Sequence, residues 1–361
     1  MTAASLVARC VHGLEPTLAA EILRCGLGVI THIGHREVRF RASRLTALGL
    51  RTADDVFLLA AQGPDVGTTR QGAAALAGLA GTLAGTADLA ALARLRRDHG
   101  GPRGLTGVEV SASFLGRRTF TRYDVEDAVG RALAGRLGVG YHSRRGAGAP
   151  PPGHSGWRVT LDGERATLLL RIAERPLHRR EYKRRSVPGT LHPPLAAAMV
   201  AMAGVEPGDT VLDPCCGAGT LLIEAARQGP ATRLYGFDLA GRAVTAAREN
   251  AAGLPVAVAR ADAGRLPVRD GVAQRVLANP PWGGQVAPGG LLAASPARWW
   301  AEMRRVLAPG GTAVVLLPGV GDLPLAIRQG LTPAHLQRVR IAGAESFLVR
   351  LTAPRPARGA G

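Results

Sequence analysis

The run Ala278-Asn279-Pro280-Pro281-Trp282 places an amide, a rigid turn and an aromatic ring directly after a short apolar strand, Arg275 to Ala278. That combination suits a planar amino nitrogen that must act as a nucleophile. The lone pair of such a nitrogen is delocalised into the ring that bears it. Two acceptors drawing on its two hydrogens pull it toward tetrahedral geometry as it attacks. The Asn279 side-chain oxygen and the Pro280 carbonyl can be those acceptors, Pro281 stiffens the turn, and Trp282 can stack on a base and fix the line of attack. No strong general base is needed, because the product ammonium loses its proton easily. Taken alone, the four residues also fit an ordinary strand-to-loop turn with Trp282 in the core.

Three acids stand upstream at comparable places. In TVLDPCCGAGTLLIEAA an apolar strand, Val211 and Leu212, ends in Asp213 and turns through Gly217 and Gly219 into a helix. Glycines there let a ligand approach the backbone. Leu222 occupies the position of the third glycine of a dinucleotide fingerprint, and no lysine follows to make a phosphate-gripping loop. The next strand, Arg233 to Phe237, ends in Asp238, placed to accept two ribose hydroxyls. The one after it, Val256 to Ala259, is followed by Asp262, placed to accept from an adenine amino group. Asp213 can meet the ammonium of an amino-acid moiety, which NAD lacks, so the set favours S-adenosylmethionine. The expected cofactor residues are Asp213, Pro214, Cys215, Gly217, Gly219, Asp238, Leu239, Asp262 and Ala263; each acid taken singly could equally be a helix cap.

The elements that must hold these residues fall into two patterns. From Leu195 onward, helices alternate with short apolar strands, which predicts a parallel α/β sheet. Before it, residues 5 to 62 read as βαββαβ: a strand over Leu6 to Arg9, a helix opening at Glu15-Pro16, strands Val29 to Ile33 and Glu37 to Phe40, a short helix begun by Ser43, and a strand over Val56 to Ala60. That order is ferredoxin-like. From Gly67 to Gly104 only Asp88 to Arg97 has clear helical spacing. Val108 to Phe114 then reads as a strand, Tyr123 to Leu137 as a helix, and Trp157 to Leu161 with Ala166 to Ile172 as a hairpin about Asp162-Gly163. The expected domains are 1–64 ferredoxin-like, 65–175 RNA-binding, 176–190 a basic linker, 191–352 catalytic and 353–361 a disordered tail.

Composition narrows the partners. The 361-residue chain carries a formal charge of +18, almost all of it arginine, Lys183 being its only lysine. This favours a polyanion, nucleic acid first, although a bias toward Arg, Ala and Gly could raise the charge with no partner. Arg179, Arg180, Lys183, Arg184 and Arg185 form the densest cluster and are expected to track phosphates. Cys10, Cys25, Cys215 and Cys216 lack the spacing of a zinc site or a disulfide framework, and the nine histidines show no ligand pattern, so no metal is expected. No stretch approaches the roughly 20 apolar residues of a membrane span. A cytoplasmic protein with no membrane partner is the expectation.

The segments LDPCCGAGTLLIEAA, YGFDL, RADAGRLP and ANPPWG resemble the motifs of the THUMP-containing class I RNA guanine-N2 methyltransferases, and PLHRREYKRRSVPGTLHPPLAAAM resembles that family's junction between RNA-binding and catalytic parts. The resemblance implies a Rossmann-like catalytic domain preceded by ferredoxin-like and THUMP-like α+β domains. It implies methionine contacts at Asp213, Gly217 and Gly219, ribose at Asp238, adenine at Asp262, and catalysis at Asn279, Pro280, Pro281 and Trp282. Cys216 stands where Gly or a small polar residue is expected, and Trp282 where many members have Tyr or Phe. The implied activity is methylation of a guanosine N2 in RNA, tRNA foremost, on a nucleotide flipped into the crevice. The other readings are rRNA guanine-N2, DNA adenine-N6 or protein glutamine methylation, and a catalytically silent RNA-binding module.

Overall fold

The computed structural model describes residues 4–42, 46–68, 72–146, 148–228, 233–284 and 286–355. The chain divides into two compact units, one comprising Leu18–Leu177 with the residues before Val11, the other comprising Val11–Thr17 with the chain from His178. Among the described residues no single helix is long and apolar enough to cross a membrane.

The chain begins β1 (Ala4–Arg9), α1 (Glu15–Arg24), β2 (Val29–Gly34), β3 (Glu37–Ala42) and β4 (Asp55–Pro64), and continues α2 (Gly72–Thr86), α3 (Leu89–Asp98), β5 (Gly107–Phe114), α4 (Arg122–Leu137), β6 (Gly140–His142), β7 (His154–Leu161) and β8 (Arg165–Arg171). The strands form one eight-stranded sheet in the order β2-β3-β1-β4-β8-β7-β5-β6. Its first four strands have the ferredoxin-like arrangement, with β1 between β3 and β4 and antiparallel to both. A 3-10 turn, Thr46–Gly49, stands before β4, and the helix start expected at Ser43 lies outside the described residues. Period-two burial along β3 and β5 turns Val38, Phe40, Val108 and Val110 inward. The β7–β8 hairpin closes at Asp162, whose carboxylate accepts from the Glu164 and Arg165 amides. Helix α2 was not legible: GAAALAGLAGTLAGT has no polar face to contrast with an apolar one.

The second unit carries α5 (Pro193–Ala203), β9 (Thr210–Asp213), α6 (Thr220–Ala226), β10 (Arg233–Asp238), α7 (Gly241–Asn250), β11 (Val256–Arg260), β12 (Ala273–Ala278), α8 (Gly290–Ala294), α9 (Pro296–Val306), β13 (Leu307–Leu317), α10 (Leu323–Arg328), β14 (Thr332–Ile341) and β15 (Ala344–Thr352). Its seven strands run β11-β10-β9-β12-β13-β15-β14. The first five are parallel and β15 is antiparallel to both of its neighbours. This is the expected Rossmann-like order, and its direction reverses between β9 and β12. Loops leaving the two strands there part to opposite sides, which opens a crevice at their carboxyl ends. Below the crevice, Leu212, Val276, Val315, Trp299, Trp300 and Met303 share one core. At the far edge, the N-terminal segment joins β14: Arg340 N donates to His12 O at 2.9 Å and Gln337 Nε2 to Gly13 O.

Two sequence expectations are corrected in this unit. The expected basic linker, 176–190, is not free chain, since the Arg180 and Tyr182 side chains bond Glu224 of α6 and the Arg184 and Arg185 amides bond Asn250 of α7. The expected tail begins late: Ala353 N donates to Gly311 O at 2.9 Å and Gly310 N to Pro354 O at 3.3 Å, which holds the chain beside the start of β13 through Pro354. The rest of the tail, 356–361, lies outside the described residues.

Candidate active site

Each expected acid sits at the carboxyl end of its strand, and in each case backbone amides hold the carboxylate. Asp213 ends β9 and accepts from Cys215 N at 3.1 Å. Asp238 ends β10 and takes Gly217 N on Oδ2 and Ala240 N on Oδ1, both at 2.9 Å. Asp262 follows β11 and takes Gly264 N on Oδ1 and Leu291 N on Oδ2, again at 2.9 Å. Asp262 thus also holds an amide in the first turn of α8, while the Asp238 bond to Ala240 N stands just before α7. The Gly217–Asp238 bond ties the glycine loop to the next strand, so the two converge by construction. Gly219 has φ +81°, and a Cβ there would lie 3.2 Å from Ala247 Cβ of α7, so both conformation and packing call for glycine.

The electrostatics are one-sided. Asp213 is 1 % exposed, and among the described residues no lysine, arginine or histidine pairs with it. Burial, reinforced by the nearby Asp238 charge, holds its carboxyl well above the ordinary carboxylate range, with the Cys215 amide opposing. Burial and then Asp213, Asp238 and Asp262 push the Cys215 thiol upward. Cys216 is raised likewise, by burial, Asp213 and Asp238. Both cysteines are therefore thiols and poor nucleophiles at neutral pH. That Cys215 feels all three acids places them around one point. Pro214 and Ala263 are buried, and Leu239 is an exposed apolar side chain next to Asp238. Among the described residues no group of three or more His, Cys, Asp or Glu side chains is arranged to hold a metal.

Register fixes the catalytic candidates. Arg275 and Val276 of β12 pair with Val211 and Leu212 of β9, so Asn279 emerges just beyond the level of Asp213 on the adjacent strand. Its Nδ2 donates to Gly189 O at 3.3 Å, and among the described residues no donor reaches its Oδ1. Pro280 is buried behind it. Trp282 is half-buried. Its indole N–H donates to Leu316 O at 3.0 Å, and its ring meets Trp299 edge-on, with centroids 6.1 Å apart at 82°. The ring is thus an edge of the core that stays partly exposed, a combination the motif alone does not reveal.

The basic cluster divides. Arg180 Nε bonds Glu224 at 3.3 Å and Tyr182 OH bonds the same carboxylate oxygen at 2.6 Å, beneath α6. Burial pulls the Lys183 ammonium below its ordinary value. Arg179, Arg184 and Arg185 are exposed, with Arg185 Nε 2.6 Å from Glu249. The residue that sequence reading missed is Asn250, at the end of α7. Its Oδ1 accepts from the Arg184 and Arg185 amides at 3.0 and 2.9 Å. Its Nδ2 donates to Arg185 O at 2.9 Å and to Ala218 O, in the glycine loop, at 3.0 Å. All four bonding positions of one buried amide are used, and they join the basic segment to the cofactor loop. A lone Asn at a helix end gives no sign of this in sequence.

Residues 180–345 match the RMKL-like methyltransferase domain family. The tRNA (guanine(6)-N2)-methyltransferase of Thermus thermophilus is 33 % identical over 248 residues, 66 % of this chain and 70 % of the relative. The chain belongs to the RMKL-like methyltransferase family. A second relative of this methyltransferase, the tRNA (guanine(10)-N2)-dimethyltransferase of Methanothermobacter thermautotrophicus, is 41 % identical over 98 residues, 26 % of this chain and 29 % of the relative. The crystal structure of TrmN from Thermus thermophilus superposes with a TM-score of 0.71 at 30 % identity, covering 97 % of this chain and 99 % of that one.

Asn250→Ala is expected to lower the unfolding free energy by about 2–4 kcal/mol, because it orphans several backbone groups at once, and to weaken S-adenosylmethionine binding through the displaced Ala218. Urea denaturation with calorimetric titration measures both. Unchanged affinity in a destabilised variant would separate Asn250 from the cofactor loop.

Proposed function

We propose that this methyltransferase places a methyl group on the exocyclic N2 of a guanosine in tRNA. The observation that carries the reading is the amide of Asn279, whose donor end is bound to Gly189 and whose acceptor end meets no donor among the described residues, on the strand beside Asp213. The guanine-N2 activities of the two tRNA-modifying relatives support the choice of base and substrate.

The residues fit S-adenosylmethionine, because a buried, unpaired carboxylate such as Asp213 is the kind of group that awaits a cation. Asp213 and the loop from Pro214 through Cys215 to Gly219 would hold the methionine end, Asp238 the ribose hydroxyls, and Asp262 the adenine amino group, with Leu239 and Ala263 on the flanks of the adenine. When bound, the cofactor supplies an electrophilic methyl group on a sulfonium. Asn279 Oδ1 and the Pro280 carbonyl accept the two amino hydrogens of the base and localise the nitrogen lone pair. Pro281 holds the turn, and Trp282 gives the base a wall that is already fixed. The base reaches this place only when flipped out of its stack.

In this reading the first unit carries the ferredoxin-like and THUMP-like parts that bind structured RNA in the cytoplasm, and Arg179, Arg184 and Arg185 meet phosphates near the crevice. Arg180 serves the fold in its pair with Glu224, and Lys183 contributes less because burial opposes its charge.

Incubation with labelled S-adenosylmethionine and unmodified tRNA, rRNA, duplex DNA and protein in parallel should put label in N2-methylguanosine of tRNA; label in rRNA or adenine alone would replace the substrate. Asn279→Ala is expected to reduce turnover by about 100- to 1000-fold, the cost of one group aimed at the reacting centre, with cofactor affinity retained. Cofactor affinity should rise with pH from about 4 upward and level off above the raised pKa of Asp213. The cofactor ammonium favours the ionised carboxylate, so binding releases a proton across that window. Titration calorimetry in buffers of different ionisation enthalpy reads this directly, and Asp213→Asn should abolish the buffer dependence. Replacing Arg184 and Arg185 by Ala together should flatten the log–log salt dependence of tRNA binding by about 1 to 2; an unchanged slope would assign both to a solvated surface.

A further inference from the structure

An asparagine amide is nearly symmetrical in shape and opposite in chemistry at its two ends, and its terminal torsion is broad. Turned over, Asn279 would offer an N–H to an amino group that needs an acceptor. Something must choose the orientation, and the contact at its far end does so. Gly189 O can accept from Nδ2 and has nothing to give Oδ1, so turning the amide over exchanges a hydrogen bond for two opposed oxygens.

Gly189 is itself held. Val187 N donates to Thr190 Oγ1 at 2.8 Å, the Thr190 hydroxyl donates to Val187 O at 2.6 Å, and Thr190 N reaches the same carbonyl at 3.0 Å. Three bonds therefore close a four-residue turn whose third residue has φ +76°, a conformation glycine adopts without cost. A Cβ on Gly189 would lie 3.0 Å from Val286 Cγ2, in the loop that follows Trp282. Upstream, the Arg184 and Arg185 amides are fixed to Asn250; downstream, α5 starts at Pro193, with His192 O accepting from Leu195 N and Ala196 N. The turn is anchored on both sides and delivers one carbonyl.

We propose that the Val187–Thr190 turn is a positioning device for Asn279, and that the Thr190 hydroxyl is the positioning residue that keeps the Gly189 carbonyl aimed at Nδ2. This rests on the assignment of Asn279 as the amino-group acceptor and names what sets the direction of that acceptor. Thr190 touches neither base nor cofactor in this role. Its effect is on the fraction of time Oδ1 faces the substrate, which enters the rate of the chemical step and leaves binding alone.

The test uses full-length protein, unmodified tRNA and labelled S-adenosylmethionine, with single-turnover rate, tRNA KM and cofactor Kd measured for each variant. Thr190→Val, which keeps shape and removes the hydroxyl, is expected to slow turnover by about 10- to 100-fold with KM and Kd within about twofold. Thr190→Ser should restore the rate. In an Asn279→Ala background Thr190→Val should cost nothing further, because the group it orients is gone. Equal losses in both backgrounds, or a full rate in Thr190→Val alone, would overturn the proposal. Full turnover in Asn279→Ala would instead defeat the acceptor assignment beneath it. If Thr190→Val also loses cofactor binding, Gly189→Ala shifts the same carbonyl while keeping the hydroxyl, and must show the same loss of rate, absent in the Asn279→Ala background, for the proposal to stand.

Discussion

Carboxylates gathered in one place repel one another and lose hydration, and the second unit sets the buried Asp213 and the half-buried Asp238 and Asp262 near Cys215, with no basic side chain among the described residues to pair with them. What holds them is a series of backbone amides: Cys215 on Asp213, Gly217 and Ala240 on Asp238, Gly264 and Leu291 on Asp262. Neutral donors orient a carboxylate without cancelling its charge. At Asp213, where burial is deepest, desolvation favours the neutral carboxyl, so a cation arriving there would draw it into its ionised form. The glycine loop serves to hold the acids too, because Gly217 takes a left-handed conformation at φ +52° that glycine adopts without cost, and from there its amide reaches Asp238 on the next strand. The position of the crevice follows from the reversal of strand order between β9 and β12, where loops part and leave room.

A +18 chain invites a reading in which every arginine meets phosphate, and the basic junction shows why that overcounts. Arg180 is spent on Glu224, whose carboxylate also takes the Tyr182 hydroxyl, so this part of the junction is a fastening on α6. Breaking a buried pair of this type by removing one partner commonly costs about 3–5 kcal/mol, which argues that its contribution is to position the next stretch of chain. That stretch, Arg184 to Thr190, is clamped by Asn250 and then makes the turn that reaches Asn279. This stretch thus presents arginines outward and backbone inward, and the inward side is bonded to Asn279 at Gly189 and, through Asn250, joined to the glycine loop at Ala218.

The parts legible in sequence were those whose chemistry is written in adjacent residues. Asp213 with its glycines, Asp238 and Asp262 at strand ends, and Asn279 through Trp282 are local patterns, and the alternation of strand and helix around them gave the sheet. Asn250 was invisible because its partners are backbone groups at Arg184, Arg185 and Ala218, which any residue type supplies. Helix α2 was invisible for the opposite reason: a run of Ala, Gly and Leu has helix-compatible residues and no periodic contrast. The junction was misread because a dense charge run looks like solvated chain, and neither the Tyr182–Glu224 bond nor the Arg180 pair has a signature at separations of more than 40 residues.

Trp282 shows how the two alternatives weighed for the motif can both be true. Its indole N–H is bound to Leu316 O and its ring edge is set against Trp299, itself fully buried beside Trp300. A residue tethered in this way cannot swing out to meet a base, so any stacking must use the face that the core leaves open. That makes the aromatic wall rigid, as the Gly189 contact makes the amide rigid. Where the nucleophile is weak, rate depends on how closely the resting geometry already matches the transition state. Core packing at Trp282 and turn closure at Thr190 are then two routes to one end, fixing the walls of the crevice before the substrate arrives.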